Sequence, residues 1–157
     1  MRLSDIVCFD AIVPQLTATT RNTVIEELVM ALNEKKKLGK ADPSKLARAV
    51  IKRENEASTG IGKGVAVPHV KHSAVKELVV AVGCSASGID FSSLDKQPVY
   101  SVFLLLSSTD NPDKHLQAME TIFRNLQKDD FRRFLRQAET VEDIIEAIKD
   151  ADEDSSE

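Results

Sequence analysis

Between Thr23 and Leu32 the apolar residues Val24, Ile25, Leu28, Val29 and Leu32 recur at helical spacing, with Thr23 and Glu26 as a capping box and Gly39 as a stop. A second stripe, Leu46, Ala47, Val50 and Ile51, follows Asp42-Pro43, an N-cap residue with proline in the first helical position, and predicts a helix ending near Glu54 to Glu56. The pattern then breaks: Ser58 to His69 is punctuated by glycines and enters a short β-branched run that Pro68 closes. Leu78 to Gly83 and Pro98 to Leu106 are rich in β-branched residues and leucine and poor in charge, which predicts strands covered on both faces. Gly88 to Gln97 carries turn residues, with Ile89, Phe91 and Leu94 as apolar anchors.

Leu116, Met119, Phe123 and Leu126 predict a third helix with His115 in its first turn, and Phe131, Phe134 and Leu135 mark a short one. Thr140 and Asp143 cap a last helix whose apolar face is Val141, Ile144, Ile145 and Ile148. Helices that precede, interrupt and follow the strands predict an α/β layered domain rather than a bundle or a sandwich.

At 157 residues the chain is long enough for one domain that stands without disulfides or metals. No apolar run approaches the roughly 20 residues of a membrane span, and the start, with Asp5 and Asp10, lacks the basic and apolar regions of a secretory signal. Cys8 and Cys84 form no CxxC or Cys/His cluster, so they are expected to be inert core thiols in a reducing, cytoplasmic setting. The net charge of -4 comes from the end of the chain, where five acids and no base fall in the last eight residues. This predicts a folded domain over 1–149 and an acidic disordered tail over 150–157. The near-neutral remainder, with six Phe, one Tyr and no basic stripe, lacks the footprint of a nucleic-acid binder.

Three histidines, His69, His72 and His115, are the candidates for chemistry. His69 stands where a β-run meets a proline after a glycine loop, a place where a side chain is fixed in direction and open at an edge. With a reference pKa of about 6.5 its ring keeps a neutral, nucleophilic nitrogen near neutral pH. The glycines do not make a nucleotide site: Val65 stands where a dinucleotide fingerprint needs its third glycine, and Lys63 is misplaced for a P-loop. His69 and His72 lack the further ligands of a metal site, and His72, between Lys71 and Ser73, is expected at the surface.

The run Arg53-Glu54 and Ser58-Thr59-Gly60-Ile61-Gly62-Lys63-Gly64-Val65-Ala66-Val67-Pro68-His69 resembles the phosphorylation-site segment of the fructose, mannitol and nitrogen-regulatory type of phosphotransferase IIA domain. Ile89-Asp90-Phe91, Gln97-Pro98-Val99, Phe103 to Leu106 and His115-Leu116 are similar to later blocks of that family, in the same order. The resemblance implies a single domain with a mixed sheet flanked by helices. It implies His69 as phosphoryl acceptor through Nε2, His115 as a second active-site histidine and Arg53 as the arginine of the motif, with Glu54, Ser58 and Thr59 lining the pocket. No metal or cofactor is implied. The implied partners are an HPr-like phosphocarrier and either a IIB-type acceptor in sugar uptake or, as in the nitrogen branch, a non-transport protein regulated by the phosphorylation state.

Overall fold

The computed structural model describes residues 1–155. In chain order the elements are α1 (Leu3–Ile6), β1 (Val7–Val13), α2 (Arg21–Glu34), α3 (Pro43–Glu56), β2 (Gly60–Gly62), β3 (Val65–Ala66), β4 (His69–His72), β5 (Val79–Ile89), β6 (Val99–Ser108), α4 (Pro112–Leu126), α5 (Asp129–Gln137) and α6 (Val141–Ser155). One mixed sheet runs in the order β1-β5-β6-β3-β2, with β4 paired to β6 beyond β3. β5 and β6 are antiparallel, while β1 on β5, and both β3 and β4 on β6, are parallel.

The central strands read as continuous apolar runs because each face has its own core. From β6, Val102, Leu104 and Leu106 join a cluster with Leu28, Leu32, Leu46 and Val50 of α2 and α3, whereas Phe103 and Leu105 join one with Ile122, Leu135 and Ile148 of α4 to α6. This is the expected α/β fold, a mixed sheet covered by helices on both faces, and it places the end of β6, all of β4 and the start of α4 at one rim.

Several local expectations move. α2 starts one turn before the predicted box, because Thr20 and Thr23 cap each other: Thr23 N donates to Thr20 Oγ1 at 3.3 Å and Thr20 N to Thr23 Oγ1 at 3.2 Å. Asp42, by contrast, is the N-cap of α3, its carboxylate accepting Ser44 N at 2.9 Å with Pro43 behind it. Ile89 and Phe91 anchor the β5–β6 connection in the core, but Leu94 is 84% exposed; only its backbone is held, by donation to Gly60 O at 3.3 Å. β1 and α1 had no counterpart in the sequence reading.

The end of the chain is a further correction. The stretch expected as a disordered tail from 150 is helical through Ser155, and residues 156–157 lie outside the described part. The apolar spacing of α6 continues to Ala151, which is buried against the second core, and the Asp152 carboxylate accepts Leu3 N at 2.7 Å and Ser4 N at 3.1 Å. A buried carboxylate over unpaired N-H groups is worth more than an acidic composition costs.

Candidate active site

The segment between α3 and β4 is fastened by its polar side chains. Glu54, in the last turn of α3, is buried, and its carboxylate accepts Thr59 N at 2.6 Å and the Thr59 hydroxyl at 2.7 Å. Ser58 donates its hydroxyl to Phe91 O at 2.6 Å and accepts Gly60 N at 3.0 Å. Beyond them the chain doubles back through β2 and β3, a turn that needs the left-handed conformation at Gly62 and Gly64, with φ of 93° and 79°. Val67 N then bonds Thr59 O at 3.2 Å, and Leu105 N bonds Pro68 O at 3.0 Å, so β4 is delivered in register onto β6.

His69 is the first residue of β4, opposite Leu105. Its Nδ1 lies 2.7 Å from the Val67 carbonyl oxygen. A carbonyl only accepts, so Nδ1 carries the proton and Nε2 holds the lone pair. Burial is the main cause that lowers the His69 pKa below its ordinary 6.5; Arg53 and Lys71 push the same way, against the Val67 bond and Glu54. The half-buried ring is therefore neutral at neutral pH, with its nucleophilic nitrogen turned from the main chain.

His115 sits in the first turn of α4, which Asn111 caps by accepting Lys114 N at 3.1 Å and Pro112 opens. The ring is buried, and its Nδ1 is 2.5 Å from the Ser107 hydroxyl at the end of β6. Burial, then the charges of His69 and Lys71, lower its pKa to about 4. The His69 and His115 ring centroids are 5.7 Å apart at an interplanar angle of 52°. Arg53, in the last turn of α3, donates Nη1 to Ala57 O at 3.1 Å, and no carboxylate pairs with it among the described residues.

Thus the structure gathers His69, His115 and Arg53, taken from a strand start, a helix start and a helix end. Glu54 and Thr59 lie beside them, but their polar atoms are spent on each other, and Ser58 is spent on the loop. His72, expected at the surface, is half-buried, and its Nδ1 accepts Ala74 N at 3.0 Å. The sequence reading missed Ser107 and Lys71, whose only signal is register: Lys71 is two residues past His69 on the same strand and pairs with Ser107. Among the described residues no three His, Cys, Asp or Glu side chains gather to hold a metal ion. Both cysteines are buried, and burial raises Cys84 to about 11, so that thiol stays protonated. A neutral nucleophilic ring near the charges of Arg53 and Lys71 and beside a second ring is suited to accept and release an anionic electrophile.

Residues 8–151 match the family described as "Phosphoenolpyruvate-dependent sugar phosphotransferase system, EIIA 2". The chain is 32% identical over 97% of its length to the fructose-specific EIIABC component of Bacillus subtilis, of which it spans about a quarter, 24%. It is 30% identical to the nitrogen regulatory protein of Bradyrhizobium diazoefficiens over 94% of this chain and 95% of that one. Its fold is that of IIA-Ntr from Neisseria meningitidis, with TM-score 0.84, 23% identity, and coverage of 93% of this chain and 98% of that one. It is also that of enzyme IIAMTL, solved in complex with phosphorylated enzyme IIBMTL from Escherichia coli: TM-score 0.76, 17% identity, coverage 90% and 95%.

Proposed function

The chain belongs to the EIIA 2 family of the phosphoenolpyruvate-dependent sugar phosphotransferase system and is a phosphotransferase component; on that premise we propose that His69 is the residue that carries the phosphoryl group. The observation that supports this most is the 2.7 Å contact between Nδ1 and the Val67 carbonyl, which leaves Nε2 as the free nucleophile. A phosphorylated HPr-like carrier presents its N-P bond; that bond breaks, the His69 Nε2 lone pair forms the new one, and the donor nitrogen recovers its electron pair. The group leaves to a IIB-type acceptor by the same exchange in reverse.

The transition state of such a transfer is loose and spreads charge on three oxygens. Arg53 meets that charge from the end of α3, and His115, neutral and held by Ser107, supplies a ring N-H or a polar wall beside it. Glu54, Ser58 and Thr59 act by holding the loop that aims His69. No helix of the described residues is long and apolar enough to cross a membrane, and the reading places the chain in the cytoplasm, with no nucleic acid, metal or cofactor in the reaction.

The end-to-end match with a nitrogen regulatory protein supports a second reading of the output. There the phosphorylation state of His69 governs binding to a non-transport protein instead of sugar uptake. One experiment serves both: incubate the protein with a phosphorylated HPr-like carrier, map the label, and then offer IIB domains. Label on His69 that passes to a IIB domain supports transport. Label that passes to none, with an altered affinity for a regulated protein, supports regulation. Labelling that survives His69→Ala removes both.

A further inference from the structure

In the parallel pair β4–β6, His69 lies opposite Leu105 and Lys71 opposite Ser107. Paired residues share a face of the sheet, and so do residues two apart on one strand. His69, Lys71, Leu105 and Ser107 therefore project to the side where Leu105 packs with Ala118 and Ile122 of α4. On that same side Ser107 holds His115 at 2.5 Å. Lys71 thus stands roughly 6.7 Å along the strand from His69, level with the residue that carries the second ring. Its side chain is exposed and makes no ion pair among the described residues. Its charge reaches both rings, since it is among the causes that lower the pKa of His69 and of His115.

The local charge balance has a gap for an anion. Arg53 and Lys71 both act on His69, and the one carboxylate that does so, Glu54, is bonded to Thr59. A phosphoryl group brings nearly two negative charges, and Arg53 meets it from α3 alone. We propose that Lys71 is a phosphoryl-binding residue of this site, its ammonium contacting an oxygen of the PO3 unit in transit to His69 Nε2 and of the phosphohistidine that results. The inference rests on His69 as the acceptor. Lys71 keeps its three protons throughout; the only bonds that change are the donor N-P bond, which breaks, and the Nε2-P bond, which forms.

The test is single-turnover transfer from a phosphorylated HPr-like carrier to wild type, Lys71→Met and Lys71→Arg, with phosphorus NMR of the products and proton NMR titration of the unphosphorylated histidines. Lys71→Met is expected to lower the rate at saturating carrier by about tenfold, the weak end for loss of one preorganised charge because the side chain is exposed. The half-saturating carrier concentration should stay the same, and Lys71→Arg should restore most of the rate. In Lys71→Met the phosphoryl group should take up its last proton at higher pH, and both ring titrations should move upward. A wild-type rate at saturation, or a loss confined to the half-saturating concentration, overturns the assignment, because Lys71 would then be idle or serve only docking. If wild-type His69 takes no label, the acceptor reading falls and Lys71 with it; if it takes label and Lys71→Met does so equally fast, Lys71 falls alone.

Discussion

Acidification should destabilise this fold through His115, by an amount the structure bounds. The ring has an ordinary pKa of 6.5 in the unfolded chain and about 4 in the fold, where burial and the charges of His69 and Lys71 oppose protonation and the Ser107 hydroxyl is its bonded neighbour. Below pH 6.5 the unfolded chain binds a proton that the folded one refuses, so unfolding gains. The loss begins as pH falls through 6.5, grows to about 4, and is complete below that; above 6.5 this group contributes no slope. At 1.36 kcal/mol per tenfold the full gap is roughly 3 kcal/mol, and screening by solvent at the open side of the pair reduces it to about 1.5 to 2 kcal/mol. The assay is urea unfolding of wild type and His115→Gln at a series of pH values. Subtracting the two curves removes the groups that do not interact with His115, and the coupled titration of His69 is followed by NMR in both proteins. The stability difference should shift by about 1.5 to 2 kcal/mol in favour of the variant between pH 7 and pH 4. A difference that stays flat, or an NMR titration of His115 near 6.5, would refute the reasoning.

Two further outcomes test the frame around the site. Asp152→Ala leaves the buried N-H of Leu3 and the half-buried N-H of Ser4 without their acceptor, and should cost about 2 to 3 kcal/mol in urea unfolding; a change below about 0.5 kcal/mol would mean that the end of α6 carries no load. At Gly60 a Cβ would fall on the Ser93 hydroxyl and within 3.1 Å of Ser93 Cα, so Gly60→Ala should cost about 1 to 3 kcal/mol. Adding Ser93→Gly should recover part of that loss, and no recovery would place the strain elsewhere.

Where elements carried their own signal, the sequence was enough. Asp42-Pro43 sits at the helix start it announces, and the charge-poor runs became β5 and β6 because both faces of the sheet are covered. His69 was legible from glycine and proline chemistry, and its companions only through family resemblance. What stayed hidden depends on pairing. His69 to His72 is too short and polar to read as a strand, and becomes one by docking on β6. The roles of Ser107 and Lys71 follow from that register, and no local pattern contains it. The end of the chain misled because composition outweighed periodicity: Ala147, Ile148 and Ala151 continued a helical stripe through a run of acids.

If His69 carries the phosphoryl group as proposed, the Val67 carbonyl that fixes its ring also sets how traffic passes through it. A ring tethered at one nitrogen has a single reactive corner, and turning it to offer the other would mean giving up that tether. On the role proposed for His69, cargo would arrive and depart along one approach, so that supplier and recipient take turns at the same doorway. On that reading the molecule works as a shuttle that lets go of one protein before meeting the next, and not as a bridge between two.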